Sequence, residues 1–347
     1  MNLQDLANKI LPELPELLHR RYNILKTINF YEPIGRRMLA QETNLGERTI
    51  RNEVEQMKKS NFISVKNSGM CLTREGKGIL NELKDLLKDI EGLSGKEEMI
   101  QKYLNIKKVI IVPGDCDEDP SVLGEMGRAA ASYCKTIMYD NISIALTGGN
   151  SIKAVVDNFD IYTKYKDILV LPARGGIGKK VEIQSNTLAA ELSNKLNGNY
   201  KLLYAPDNMS GIALETMLKE KSICETIEKI RETDILVYGI GRADEMAKRR
   251  ELEAETIEQL HNLGAVGEAF GIYFNKNGST VYCTPTIGIQ GEDLEKIEHL
   301  IAIAGGKQKS EAIISVERGR KKSVLVIDQG CANEIMNIIS RNEENYI

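Results

Sequence analysis

Apolar positions in the first quarter of the chain recur first at helical spacing and then at strand spacing. Residues 16–30 carry Leu and Ile at intervals of three and four, which predicts an amphipathic helix. A break at Pro33 precedes a short second helix, and a third helix starts near residue 46, with Asn44 as its predicted cap in an imperfect capping box. Residues 62–73 alternate around a central Gly, which indicates a β-hairpin. The predicted order is three helices and a hairpin, a winged helix-turn-helix.

From about residue 107, continuous Val, Ile and Leu runs alternate with helical stretches. Such runs are typical of strands buried on both faces, and their alternation with helices predicts a parallel sheet covered by helices on both sides. The length of 347 residues favours two domains. We therefore predict an α/β chain with a winged helix-turn-helix at 1–75, a helical linker at 76–104 and a Rossmann-like domain at 105–347. The predicted strands are 108–114, 142–149, 167–173, 200–206, 234–241, 279–289, 300–304 and 323–330.

The linker carries a stripe of Leu and Ile at helical spacing between Ile79 and Ile90. The stripe either packs on its own domain or pairs with the same stripe of a second copy. Fewer than four clean heptads are present, so the pattern does not establish a coiled coil.

Composition excludes several classes of protein. Hydrophobic residues make up 42% and charged residues 28%, which is ordinary for a globular chain. No stretch approaches the roughly 20 apolar residues of a membrane span, and residues 1–18 are amphipathic and contain acids, unlike a signal peptide. The six Cys form no Cys-x-x-Cys pair and only three His are present. We expect a cytoplasmic protein with reduced thiols, no metal, no cofactor and no membrane partner.

Charge is distributed unevenly, as expected of a chain with one anionic partner, and the winged helix-turn-helix pattern predicts that this partner is DNA. Residues 1–80 contain 13 Lys and Arg against 9 Asp and Glu, although the whole chain has a net charge of −4. A recognition helix reads the major groove with Arg and Asn near its N-terminus. The alternative is a solvated basic helix in a protein-contact domain. Predicted base-reading residues are Arg48, Thr49, Arg51 and Asn52, and predicted phosphate contacts are Arg36, Arg37, Lys58, Lys59, Lys66 and Arg74.

A glycine turn between a predicted strand and a predicted helix is a candidate anion site. It reads Thr147-Gly148-Gly149-Asn150-Ser151, where glycines let backbone amides approach an anion and the helix start adds unpaired amides. No Lys follows, so the turn is neither a nucleotide P-loop nor a dinucleotide-binding loop. The alternative is a tight turn that binds nothing.

Further polar side chains follow other strand ends. Arg174, Arg250 and Lys307 are predicted partners of a second phosphate, and Gln184 and Glu268 of sugar hydroxyls. Arg249 stands beside Arg250, and the sequence alone does not separate the two. Residues 264–271, which include Glu268, are predicted to form a Gly-rich loop.

The winged helix and the motifs LTGGNS, LPARGG, YGIGRA, GEAFG and IAGGK resemble, in order and spacing, the SorC family of sugar-responsive bacterial transcription regulators. The resemblance spans essentially the whole chain. It implies a repressor of glycolytic genes, an effector domain similar to phosphosugar isomerases and deaminases, fructose 1,6-bisphosphate as inducer, and a homo-oligomer, dimer or tetramer. Residues 147–151 correspond to the family's phosphate turn, with Asn150 where the family often has Ser or Thr, and the other predicted contacts fall near its sugar-phosphate contacts.

A phosphosugar isomerase or deaminase with a fused DNA-binding domain is the alternative. Such chemistry needs a carboxylate base and often a His to open the sugar ring. The similar deaminases carry Asp-Gly-His after a Gly-x-Gly strand end, whereas residues 239–245 contain no His. His261 and His299 are predicted in helices. We therefore expect no enzymatic activity. A pure oligomerisation module is a third possibility, which the anion-binding turns at the strand ends disfavour.

Overall fold

The computed structural model describes residues 13–90, 92–160, 164–176, 180–206 and 211–344. The chain divides into two compact units, Met1–Ser94 and Gly95–Ile347. The first 12 residues, on which the expectation about a signal peptide partly rests, lie outside the described residues.

The first unit is a winged helix-turn-helix, which confirms the predicted fold. Its two strands pair antiparallel from Ile63 with Leu72 to Lys66 with Gly69 and form the wing. The helices close over a core that includes Ile28, Leu39 and Ile50. Its elements are α1 (Leu14–Tyr31), α2 (Arg36–Glu42), α3 (Glu47–Lys59), β1 (Ile63–Lys66), β2 (Gly69–Leu72) and α4 (Arg74–Ile90).

The apolar stripe of the predicted linker packs on the first unit. Leu80 and Leu87 of α4 are buried in the same core as Ile28, and α4 lies against α1. The next helix, α5 (Leu93–Leu104), follows after residue 92. This packing agrees with the first of the two alternatives for the stripe, contact with its own domain.

The start of α3 differs from its prediction. The helix begins at Glu47 with Gly46 at the N-cap, and no side chain caps it. Asn44 lies in the preceding turn with φ 52°, and its backbone N donates to Gln41 O. Asn adopts this left-handed conformation more readily than most residues, so Asn44 turns the chain instead of capping the helix.

The second unit contains two sheets. Seven strands form the predicted parallel sheet, in the order β3-β13-β12-β7-β4-β5-β6, and four form an antiparallel sheet, in the order β11-β10-β9-β8. In chain order the strands are β3 (Lys108–Val112), β4 (Ser143–Leu146), β5 (Leu169–Pro172), β6 (Asn199–Tyr200), β7 (Ile235–Gly239), β8 (Gly241–Arg242), β9 (Ala265–Ala269), β10 (Ile272–Asn275), β11 (Thr280–Cys283), β12 (His299–Ile303) and β13 (Ser323–Asp328).

Helices cover the parallel sheet. All six residues of β13 are buried, as expected of a strand that has a neighbour on each side in such a sheet. In the part of the chain that the structure describes, no helix has the length and apolar character of a membrane span. The helices after α5 are α6 (Ser121–Ile137), α7 (Asn150–Asp157), α8 (Ser185–Lys195), α9 (Gly211–Met217), α10 (Lys221–Arg231), α11 (Ala243–Arg249), α12 (Ala254–Asn262), α13 (Ser310–Glu317) and α14 (Gln329–Glu344).

The antiparallel sheet corrects two predictions. Residues 264–271 are not a loop, because Ala265–Ala269 forms β9 and pairs with β10 across a tight turn at Phe270 and Gly271. The predicted strand 279–289 contributes β11 to this sheet and not to the parallel one. A third prediction is also wrong, since His299 begins β12 and does not lie in a helix.

A side chain occupies one backbone amide at the outer edge of β3. Glu97 of α5 accepts a hydrogen bond at 2.7 Å from the backbone N of Ile111. At the other side of the sheet, β6 is only two residues long.

Candidate functional site

A cavity of about 220 Å³ lies at the carboxyl ends of β4, β5 and β7, where ligands of parallel sheets bind. The structure brings all but one of the predicted effector-binding residues into the lining of this cavity. The lining also includes five residues outside the predicted set: Ser185, Glu245, Arg249, Phe270 and Lys309. The predicted residues that line the cavity are Thr147, Gly148, Gly149, Asn150, Ser151, Arg174, Gln184, Arg250 and Glu268.

The glycine turn leads directly from β4 into α7. Thr147 anchors it, because its backbone N donates to Val237 O at 3.0 Å and its Oγ1 accepts from Gly239 N at 3.2 Å. Gly149 is the N-cap of α7 with φ 118°, a conformation that favours glycine. The first amides of a helix have no partner within the helix and carry partial positive charge, so this turn offers donors to an anion.

A second helix start is fixed against the same turn. Gly149 N donates to Ile183 O at 2.9 Å, just before α8 begins at Ser185, and Ser185 Oγ donates to Arg174 O at 2.8 Å. The approach requires glycine at position 148, since a Cβ there would lie 2.7 Å from Ile183 O. Gln184, the N-cap of α8, lines the cavity. Two helix N-termini therefore meet at one cavity, an arrangement suited to phosphate.

A buried ion cluster forms one wall. Arg250 Nη2 donates to Glu268 Oε1 at 2.7 Å, and Arg174 Nη1 lies 3.8 Å from the same oxygen. Arg174 Nη2 also donates to Thr286 Oγ1 at 2.7 Å, and Gly271 N donates to Glu268 Oε1. The two arginines and Glu268 are each no more than 6% exposed. Two cations on one carboxylate leave this wall positive, and Glu268 holds both guanidinium groups in place.

Aromatic residues lie beside this cluster. Tyr273 pairs with Glu268 across β9 and β10, and burial raises the pKa of the Tyr273 hydroxyl, with the Glu268 carboxylate acting in the same direction. Tyr273 is therefore neutral at physiological pH. Phe270 contacts the ring of Tyr238, with ring centroids 4.7 Å apart.

Arg249 and Lys309 extend the positive charge of the cavity. Arg249 is exposed and Lys309 half-buried, whereas the neighbouring Arg250 is buried against Glu268. Both arginines that the sequence could not separate thus line the cavity, one in the wall and one exposed. In total the lining has four cationic side chains against two acidic ones, Glu245 and Glu268.

Lys307 is the predicted residue that does not line the cavity. Its Nζ lies 2.9 Å from Asp115 Oδ2, and this hydrogen bond raises the pKa of Lys307. Sequence analysis missed Lys309, which stands two residues further in the same basic stretch. The 3₁₀ turn over Lys307–Lys309 places the two side chains in different surroundings, and the sequence shows no such turn.

The predicted DNA-reading residues occupy the first two turns of α3. Arg48, Arg51 and Asn52 are exposed and Thr49 is half-buried, while the opposite face of the helix is buried. Arg51 Nε lies 3.6 Å from Glu55 Oε1, an exposed pair that contributes little to stability. The predicted phosphate contacts are all exposed: Arg36, Arg37, Lys58, Lys59, Lys66 and Arg74.

Two protein families match this chain. Residues 17–87 match the CggR N-terminal DNA-binding domain, and residues 88–337 match the family named "Putative sugar-binding domain". Together with the fold, these matches define a DNA-binding transcription regulator with a sugar-binding domain.

Curated relatives and solved structures agree with this class. The chain is 39% identical over 328 residues to the central glycolytic genes regulator of Bacillus subtilis, covering 94% of this chain and 96% of that protein. It is 38% identical over 336 residues to the regulator of the same name from Priestia megaterium, covering 96% and 98%. A SorC family transcriptional regulator from Enterococcus faecalis superposes with a TM-score of 0.65 at 35% identity, over 70% of this chain and 99% of that chain.

The full-length sorbitol operon regulator SorC from Klebsiella pneumoniae shares the fold over 92% of this chain and 97% of that chain, with a TM-score of 0.67 at 16% identity. The chain belongs to the SorC family of transcription regulators. It is a regulator and not an enzyme, as the sequence predicts.

Proposed function

We propose that this protein represses glycolytic genes and is released from its operator by fructose 1,6-bisphosphate. The observation that carries the proposal is the cavity where two helix N-termini meet four cationic side chains. Relatives that share nearly the whole chain are named as regulators of central glycolytic genes, which supports the choice of target genes.

The distribution of donors favours a ligand with two phosphates. One phosphate binds the turn over residues 147–151 at the start of α7. The second binds the cationic side, where Arg174 and Arg250 form the wall and Arg249 and Lys309 also line the cavity. Gln184 and Glu268 remain the predicted contacts of the sugar hydroxyls.

Release requires that the ligand prefer one arrangement of the protein. A ligand weakens DNA binding only if it binds more tightly to the state that binds DNA less well. In a homo-oligomer, two linked recognition helices raise each other's effective concentration on repeated half-sites. A small change in their alignment is therefore sufficient to lower operator affinity.

A thermal-unfolding screen of the full chain tests the ligand. Fructose 1,6-bisphosphate at 100 times its Kd stabilises the protein by about 2.7 kcal/mol, whereas fructose and inorganic phosphate at the same concentration stabilise it less. R249Q weakens this stabilisation, and K248Q, which alters the adjacent exposed lysine outside the cavity, is the matched control. Absence of stabilisation by every sugar phosphate tested would contradict the proposal.

Fluorescence anisotropy with operator DNA tests the recognition helix. R51Q removes an exposed cation from α3 and lowers DNA affinity, while ligand stabilisation is retained. E55Q removes the neighbouring carboxylate and raises DNA affinity. Equal changes in DNA affinity for R51Q and E55Q would show that the side of α3 with Arg51 and Glu55 does not face DNA.

A further inference from the structure

Six cationic side chains lie on the side of the parallel sheet where strands β3 and β13 begin. Two are at the start of β3 and four are in the turn between α13 and β13. The two segments are joined, because Lys107 N donates to Ser323 O at 2.9 Å and Gly319 N donates to Leu104 O at 2.7 Å. We call this set the basic edge: Lys107, Lys108, Arg318, Arg320, Lys321 and Lys322.

The basic edge has little counter-charge of its own. Five of its side chains are exposed and Arg320 is half-buried. Glu317, which precedes the turn, is fully buried, accepts a hydrogen bond from Tyr238 Oη at 2.6 Å and interacts electrostatically with Arg320, so Arg320 is the partly compensated cation of the set. Glu295 and Glu298 border the surface, with Lys296 between them. Among the described residues, Lys107, Lys108 and Lys321 have no ion-pair partner.

Three of the six cations are held in place by neighbouring groups. Arg318 Nη2 donates to Tyr103 Oη at 3.0 Å, Arg320 Nε donates to Val316 O, and Lys322 Nζ donates to Ile297 O at 3.1 Å. Ordering these side chains against a partner therefore costs less conformational entropy than ordering free ones. The surface is largely preformed.

The location of the basic edge separates it from the ligand cavity. The cavity lies at the carboxyl ends of the strands, and the basic edge lies at the opposite ends of β3 and β13. The residues after position 80 carry a net negative charge, so this positive surface is an exception within an acidic unit. An anionic partner larger than the sugar ligand fits it.

We propose that the basic edge binds the phosphate backbone of duplex DNA beside the operator. The chain has a DNA-binding domain, and duplex DNA presents one phosphate charge about every 1.7 Å along its axis. The basic edge is a short turn and a strand start, with no helix to enter a groove. It therefore contacts phosphates independently of base sequence, in addition to the recognition by α3.

Salt-dependent DNA binding by the full-length protein tests the proposal. The probes are a duplex selected from a random library by the protein and the same duplex extended by 15 random base pairs at each end. K107Q/K321Q removes two exposed cations of the basic edge, and K219Q/K229Q removes two exposed cations elsewhere in the same unit. On the extended probe we expect K107Q/K321Q to lower affinity about tenfold or more at low salt. For this variant, the plot of the logarithm of the DNA association constant against the logarithm of the salt concentration should be less steep by about 2.

The comparison of probes decides the outcome. Wild type and K219Q/K229Q bind the extended probe more tightly than the short one, and K107Q/K321Q loses most of that difference. Thermal unfolding of the two variants is expected to match wild type, because all four positions are exposed. Wild-type affinity and salt slope for K107Q/K321Q on the extended probe would overturn the proposal and leave an anionic protein as the partner to seek.

Discussion

At the scale of single residues, Glu268 decides the chemistry of the cavity wall. Its Oε1 lies within 3.8 Å of guanidinium nitrogens of both Arg174 and Arg250 and accepts from Gly271 N. All three charged side chains are buried, so their contacts with one another offset part of the cost of removing the charges from water. An anionic ligand can take over part of that compensation.

The variant E268Q tests this role. The substitution removes the carboxylate that the two buried guanidinium groups share, and we expect the free energy of unfolding to fall by roughly 3 kcal/mol in urea titrations. Phosphate or a sugar phosphate then stabilises E268Q more than wild type, because the anion replaces the missing charge. E245Q, an acidic residue of the same cavity that is exposed, is the control, with a change within about 0.5 kcal/mol. An E268Q variant as stable as wild type would contradict the role.

Lys307 and Lys309 give a second test at this scale. We expect K309Q to weaken sugar bisphosphate binding by about 10- to 100-fold, since a charge-assisted hydrogen bond contributes roughly 1.5–3 kcal/mol. K307Q is expected to change affinity less than about twofold, because Lys307 is paired with Asp115 outside the cavity. Isothermal titration calorimetry measures both. A larger loss of sugar bisphosphate affinity in K307Q than in K309Q would show that Lys307, as the sequence predicts, is the phosphate contact.

At the scale of elements, the site depends on how closely α7 and α8 begin beside each other. Their starts are joined by the hydrogen bond from Gly149 N to Ile183 O, and the absence of a side chain at Gly148 permits it. The spacing of the two helix N-termini, more than any one side chain, defines the proposed anion site.

The variant G148A tests this spacing. Its Cβ would lie 2.7 Å from a backbone oxygen, so the two helix starts must separate; we expect a loss of 1–3 kcal/mol in stability and of ligand binding. G124A, in the interior of α6 with open space around its Cβ, is the control and is expected to stabilise the protein by up to about 1 kcal/mol. Normal ligand affinity in G148A, measured by calorimetry, would show that the close approach is dispensable.

The sequence predicts the elements whose pattern depends on burial and misses those that depend on pairing. The Val, Ile and Leu runs of β7 and β13 are typical of strands in a covered parallel sheet, and the structure confirms their prediction. β9 has three small residues, Ala265, Gly267 and Ala269, among its five and becomes a strand through its partners β8 and β10, which no local pattern reveals. For the same reason sequence analysis did not find the cluster of Glu268 with the two arginines.

At the scale of the whole molecule, ligand and operator must influence each other equally. If a sugar bisphosphate lowers operator affinity by a given factor, operator DNA lowers sugar affinity by the same factor, within the usual 5- to 150-fold range of such couplings. We expect the two factors to agree when operator affinity is measured by anisotropy with saturating ligand and ligand affinity by calorimetry with saturating DNA. Operator affinity that is unchanged by saturating ligand, together with ligand affinity that is unchanged by saturating operator DNA, would contradict release by the sugar.

The carboxylate of Glu97 has a consequence for how copies of this chain associate. An exposed strand edge is a template on which a strand of another chain can add and extend the sheet. Here the amide of Ile111 is already occupied at one edge, and the other edge offers a strand of only two residues. Both features disfavour extension of the parallel sheet by a strand of another copy, so we expect contacts between copies of this sheet domain to form through side chains.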